Sequence, residues 1–115
     1  MNQVYVVNEE HRATEKNPLF ANKNEEVLVN HESKQFPNWY FCKVRSSGKE
    51  GYIPKKILSK TGNGDIATVL EDFSARELNV KKGDKVESNR EIDGFAWCVS
   101  EDGVAGWLPT EKLNK

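Results

Sequence analysis

The chain spells one segment twice. Trp39-Tyr40-Phe41-Cys42-Lys43-Val44, a turn bearing a glycine, and Gly51-Tyr52-Ile53-Pro54-Lys55-Lys56-Ile57-Leu58 make the first copy of it. Phe95-Ala96-Trp97-Cys98-Val99, another glycine-bearing turn, and Gly106-Trp107-Leu108-Pro109-Thr110-Glu111-Lys112-Leu113 make the second. Cys98 falls on Cys42, Gly106 on Gly51, Pro109 on Pro54 and Leu113 on Leu58. A repeat that fills a chain of 115 residues leaves each copy about half of it, so the fold must be small and must be adopted twice.

Upstream the copies stay in step. Residues 18–27 lie over residues 77–86, with Asn24 where the second copy has Gly83. Both residue types accept the positive φ of a tight turn. Residues 7–11 lie over residues 69–73 after three extra residues in the first loop. Residues 59–65, rich in Gly, Asn and Ser, read as a linker, which sets expected domains at 3–58 and 66–114. Short apolar alternations (Leu19/Ala21, Val27/Val29, Leu78/Val80) are separated by turn signals such as Lys82-Gly83-Asp84 and Glu101-Asp102-Gly103, a strand pattern. No stretch sustains an apolar period of about 3.6 residues. Pro54 and Pro109 cannot donate to a ladder and suit a strand edge or a tight turn. The expected fold class is all-β, two tandem small β-barrels joined by a short linker.

Composition removes several classes of function. Charged residues are 30% of the chain and mean hydropathy is −0.75, so the core is modest; three Trp, three Tyr and five Phe are still too many for a disordered chain. No apolar run approaches the roughly 18 residues of a membrane span, and MNQVYVVNEE lacks the basic start of a secretory leader. A soluble, cytoplasmic protein with no membrane partner is expected. A net charge of −1, a pI near 6.1 and a single basic cluster (Lys55, Lys56, Lys60) argue against nucleic acid. Residues 1–60 hold ten basic and seven acidic side chains (+3), residues 61–115 seven and eleven (−4), an asymmetry that favours packing of the two halves on each other.

Catalytic signatures are missing: there is no GxSxG, HExxH, P-loop or Rossmann glycine pattern, so no catalytic residue, cofactor or enzymatic activity is expected. Cys42 and Cys98, at equivalent places in two separate barrels, read as buried core thiols rather than a bridge. His11 and His31 share no ligand spacing with either cysteine, so no metal is expected.

Gly-aromatic-aliphatic-Pro with a closing aliphatic residue, preceded by a turn and an aromatic pair, resembles the Src-homology 3 (SH3) domain. Residues 71–84 are similar to that family's opening strand, RT loop and diverging turn. Trp97-Cys98, Asp102-Gly103 and Gly106-Trp107-Leu108-Pro109 resemble bacterial variant SH3 proteins built as short tandem repeats. The resemblance implies an aromatic groove that grips extended, often Pro-rich, peptides, because a polyproline II segment loses little entropy on docking.

Carried over by position, the groove is incomplete in both copies. Its tryptophan, proline and flanking aromatic correspond to Trp39, Pro54 and Tyr52 in the first copy, but the opening aromatics fall on Glu9 and His11 and the last tyrosine on Ile57. In the second copy Pro109 and Trp107 are kept, Phe73 keeps one opening aromatic while Glu71 replaces the other, Phe95 replaces the tryptophan, and Lys112 takes the last position. Trp97 follows two residues after Phe95, on the same strand face. A PxxP preference is therefore not carried over. The expected binding residues are Trp39, Tyr52, Pro54, His11, Phe73, Phe95, Trp97, Trp107 and Pro109. Acidic residues in the RT stretches (Glu9, Glu10, Glu15; Glu71, Asp72, Glu77) are placed to pair with a basic ligand residue. The function expected is non-catalytic binding or adaptation to a peptide or protein segment. The alternatives are a cell-wall or glycan-binding repeat, and a structural or oligomerisation module with the strips buried.

Overall fold

Asn24 (φ 76°) and Gly83 (φ 96°) both adopt the left-handed turn that their shared position in the repeat requires, each leading into a long strand. The computed structural model describes residues 2–60 and 65–115. The first half runs β1 (Gln3–Val7), β2 (Phe20–Ala21), β3 (Glu26–Glu32), β4 (Trp39–Val44), β5 (Glu50–Pro54), a 3-10 turn (Lys55–Ile57) and β6 (Leu58–Lys60). The second runs β7 (Ile66–Val69), β8 (Phe73–Ser74), β9 (Lys85–Ile92), β10 (Phe95–Ser100), β11 (Ala105–Pro109), a 3-10 turn (Thr110–Lys112) and β12 (Leu113–Asn114). The fold is all-β, and among the described residues no helix is long and apolar enough to cross a membrane.

The strands form two five-stranded sheets of matching order, β5-β4-β3-β7-β6 and β11-β10-β9-β1-β12, with β2 paired to β8. The order shows where each opening strand went. β7, from the second copy, lies between β3 and β6 of the first; β1, from the first, lies between β9 and β12 of the second. The compact units are accordingly Asn17–Ala75, and Met1–Lys16 with Arg76–Lys115.

This moves the expected boundaries. Ser59 pairs with Thr68 and Lys60 with Ala67, which makes β6 and β7 antiparallel neighbours inside the Asn17–Ala75 unit rather than members of two units. Thr61, Gly62, Asn63 and Gly64 lie outside the described residues. The chain passes between units at Lys16/Asn17 and Ala75/Arg76 instead, so one barrel is inserted whole into the opening loop of the other. The inserted unit is a single stretch of chain whose opening strand comes last.

Charge redistributes with the exchange. Unit Asn17–Ala75 carries eight basic and seven acidic residues (+1), and the discontinuous unit nine and eleven (−2). The asymmetry of +3 against −4 between sequence halves is largely erased, and with it the electrostatic argument for docking one half on the other.

Each barrel fills its core from both copies. Tyr5 and Val7 pack with Leu78, Val80, Val86, Ala96, Cys98, Leu108 and Leu113 in the discontinuous unit. In the inserted unit Leu19, Val27, Cys42, Val44, Ile53, Ile57, Ala67 and Val69 are essentially inaccessible. The repeated glycine has a steric cause. A Cβ on Gly106 would stand 2.9 Å from the Glu77 carbonyl carbon and Leu78 nitrogen, and one on Gly51 2.9 Å from the Leu19 Cβ. The chain crosses directly over strand β5 or β11 at this point, leaving no room for a side chain.

Candidate functional site

Cross-strand register aligns the expected aromatic residues. In the inserted unit Trp39 faces Pro54 and Phe41 faces Tyr52 across β4–β5, so all four share one sheet face by the two-residue pleat. β3 extends the strip. An extra residue, Asn30, bulges between the pairs Val29–Cys42 and His31–Phe41 and brings His31 onto Phe41. The imidazole stacks on Phe41 with centroids 5.4 Å apart, and Tyr52 meets Phe41 edge-on at 5.3 Å. Trp39 closes the other end against Phe73 of the second copy, at 6.3 Å.

Burial divides this strip. Trp39 and Phe73 are 5% and 3% exposed and Pro54 is buried, whereas Tyr52 is 41% exposed, His31 exposed and Phe41 half-buried. The accessible part is thus Tyr52, Phe41 and His31. Sequence reasoning named only the first of them. The signal for Phe41 was present, since it stands two residues after Trp39, where the second copy has Trp97.

The discontinuous unit repeats the design with other side chains. Phe95 faces Pro109, Trp97 faces Trp107, and a bulge at Asn89 sets Arg90 opposite Trp97. The two tryptophans meet edge-on at 5.2 Å. Trp107 is 5% exposed, its backbone held by the Arg76 carbonyl and the Leu78 amide; Phe95 and Trp97 are half-buried. This strip is the more closed of the two.

His11 occupies the place that Phe73 takes in the inserted unit, but its polar atoms are engaged. Nε2 pairs with Glu77 Oε1 at 2.8 Å, and Nδ1 accepts from the Lys112 ammonium at 3.1 Å. Thr14 donates to the other Glu77 oxygen, and Lys112 also reaches the Glu10 carbonyl and the Glu9 carboxylate. Burial works to raise the Glu77 carboxyl, but the hydrogen bonds from His11 and Thr14 outweigh it and hold the group below its ordinary range. Among the other acidic residues of these stretches, Glu10 lies 3.5 Å from Arg12 with both side chains exposed, and Asp72 accepts from the Lys23 amide.

Cys42 and Cys98 are buried and free, and desolvation pushes their thiols up to about 12 and about 11. No group of His, Cys, Asp and Glu able to hold a metal occurs among the described residues.

A family model described as variant SH3 domain matches the chain twice, over residues 4–61 and 67–115. No curated protein and no solved structure matches it.

Proposed function

Since the chain belongs to the variant SH3 domain family, a family of binding modules rather than catalysts, we propose that it binds an extended peptide or protein segment without catalysing a reaction. The Phe41–Tyr52–His31 strip of the inserted barrel is the surface that takes it. The observation that carries this reading is the exposure of Tyr52 beside a half-buried Phe41, at the open end of a strip whose other end is sealed by Trp39 and Phe73. Rigid aromatic side chains bury large area at little entropic cost, so two of them on one face suffice to anchor an extended chain. The Trp97–Trp107 face is a weaker candidate because Trp107 is already covered.

Titration with a library of Pro-rich and non-Pro extended peptides tests the reading, with backbone amide shifts as readout. Saturable shifts at Phe41, Tyr52 and His31 are expected, and Tyr52→Ala should weaken binding about tenfold or more. Shifts confined to Trp97 and Trp107 would move the site to the other barrel, and no saturable shift in either would overturn peptide binding.

A further inference from the structure

The exchange of opening arms sorts side chains by chemistry. The two arms are equivalent in the repeat: Tyr5 corresponds to Ala67, Val7 to Val69 and His11 to Phe73. The positions that receive them also correspond, Glu77 with Pro18, Lys112 with Ile57 and Ala96 with Tyr40. As folded, His11 meets Glu77 and Lys112, while Phe73 completes the unit that contains Pro18, Trp39 and Ile57. Closing each arm on its own copy would set an imidazole among Pro18 and Ile57 with neither ring nitrogen satisfied. It would also set a phenyl ring between Glu77 and Lys112, where the two ring nitrogens of His11 now bond. Buried polar groups stripped of partners cost far more than they return when paired.

Volume sorts the same way. Tyr5 shares a core with Ala96. In the inserted unit the small residue is on the arm, Ala67, and the large one on the sheet, Tyr40, whose cross-strand neighbour is Glu32. Each barrel therefore has one tyrosine across these two positions, a buried Tyr5 in one and a half-buried Tyr40 in the other. Unexchanged closure would set Ala67 rather than the buried Tyr5 ring over Ala96 and leave a cavity there.

We propose that Glu77, Lys112 and the space over Ala96 form a recognition site for one segment of this chain, residues 2–16, and that this site selects which opening arm completes which barrel. The ligand class is an extended strand carrying a buried aromatic ring and, six positions on, a hydrogen-bonding imidazole. Strand pairing supplies the general affinity and these two side chains the selection, the division of labour of strand addition.

Two cysteine pairs in the full chain read the choice. Val4 is the register partner of Glu87, so Val4→Cys with Glu87→Cys should cross-link under mild oxidation, while Val4→Cys with Leu28→Cys, which reports closure on the first copy, should not. Exchanging the selecting residues (Tyr5→Ala, His11→Phe, Ala67→Tyr, Phe73→His) should reverse this pattern. Persistence of the Val4–Glu87 link in a folded exchanged-residue protein would overturn the proposal. A smaller cycle covers the case in which that variant does not fold. His11→Phe should lower the melting temperature by several degrees, and adding Lys112→Ile should restore at least half of the loss. Strict additivity of the two changes would equally overturn it.

Discussion

His11 and Glu77 stand 66 positions apart and meet at 2.8 Å, each inside the barrel that the other's copy helps to build. Glu77 also accepts from Thr14, so two residues of the opening arm converge on one carboxylate. The contact carries a stability signature. A carboxyl held below its ordinary range of about 4.5 favours the folded state wherever it is ionised in both states. Its contribution is full above that value and is lost as pH falls through the lower folded value. Glu77→Gln should cost about 1–2 kcal/mol at neutral pH, and the gap to the unaltered protein should narrow below about pH 4.5. Urea midpoints measured from pH 7 down to pH 3 check this; a gap that stays constant over that range would refute it.

Gly106 and Gly51 test the steric reading of the repeated motif. Gly106→Ala drives a methyl into backbone atoms of Glu77 and Leu78, which give way only if the crossing segment moves. Gly51→Ala meets only one atom so close, the Leu19 Cβ at 2.9 Å, with the next at 3.7 Å, whereas Gly106→Ala meets two backbone atoms at 2.9 Å and a third at 3.1 Å. Overpacking of this kind costs about 1–3 kcal/mol, and Gly106 should lie at the upper end. Denaturant unfolding of the two variants settles the order.

Cys42 and Cys98 should be inert while the protein is folded. Thiols pushed to about 12 and about 11 by burial carry almost no thiolate at pH 8, and neither sulfur is accessible. An aromatic disulfide reagent should label neither in buffer and both in denaturant. Fast labelling of either one in buffer would show that its barrel opens locally.

Much of this architecture is legible along the chain because it is local. Asn24 and Gly83 and the buried cysteines answer to requirements set within a few residues or one hairpin. Arm exchange is not local. β1 and β7 have the same inward alternation, Tyr5/Val7 and Ala67/Val69, so pattern alone offers either arm to either barrel. What discriminates is pairing at a distance: imidazole with Glu77 and Lys112, phenyl with Trp39, the Tyr5 ring with Ala96. The same blindness hid the open strip. His31 reaches Phe41 only because Asn30 bulges, and a bulge is a property of two paired strands rather than of one.

The insertion makes an unusual prediction about fragments. Residues 17–75 contain every strand of one barrel, β2 to β8, whereas residues 1–60 hold a complete sequence copy but lack β7, the strand between β3 and β6. Without β7 the sheet loses the hydrogen-bonding partner of both neighbours and the buried Ala67, Val69 and Phe73. The substitute arm, residues 2–16, would bring His11 to a site built for Phe73. The 17–75 fragment should therefore give dispersed amide resonances and cooperative thermal unfolding, even though its termini interrupt the sequence repeat. The 1–60 fragment should be largely unfolded or associate at the exposed edges of β3 and β6. If 1–60 unfolds as cooperatively as 17–75, as a monomer and at the same temperature, the opening arms are interchangeable and the exchange is not selected.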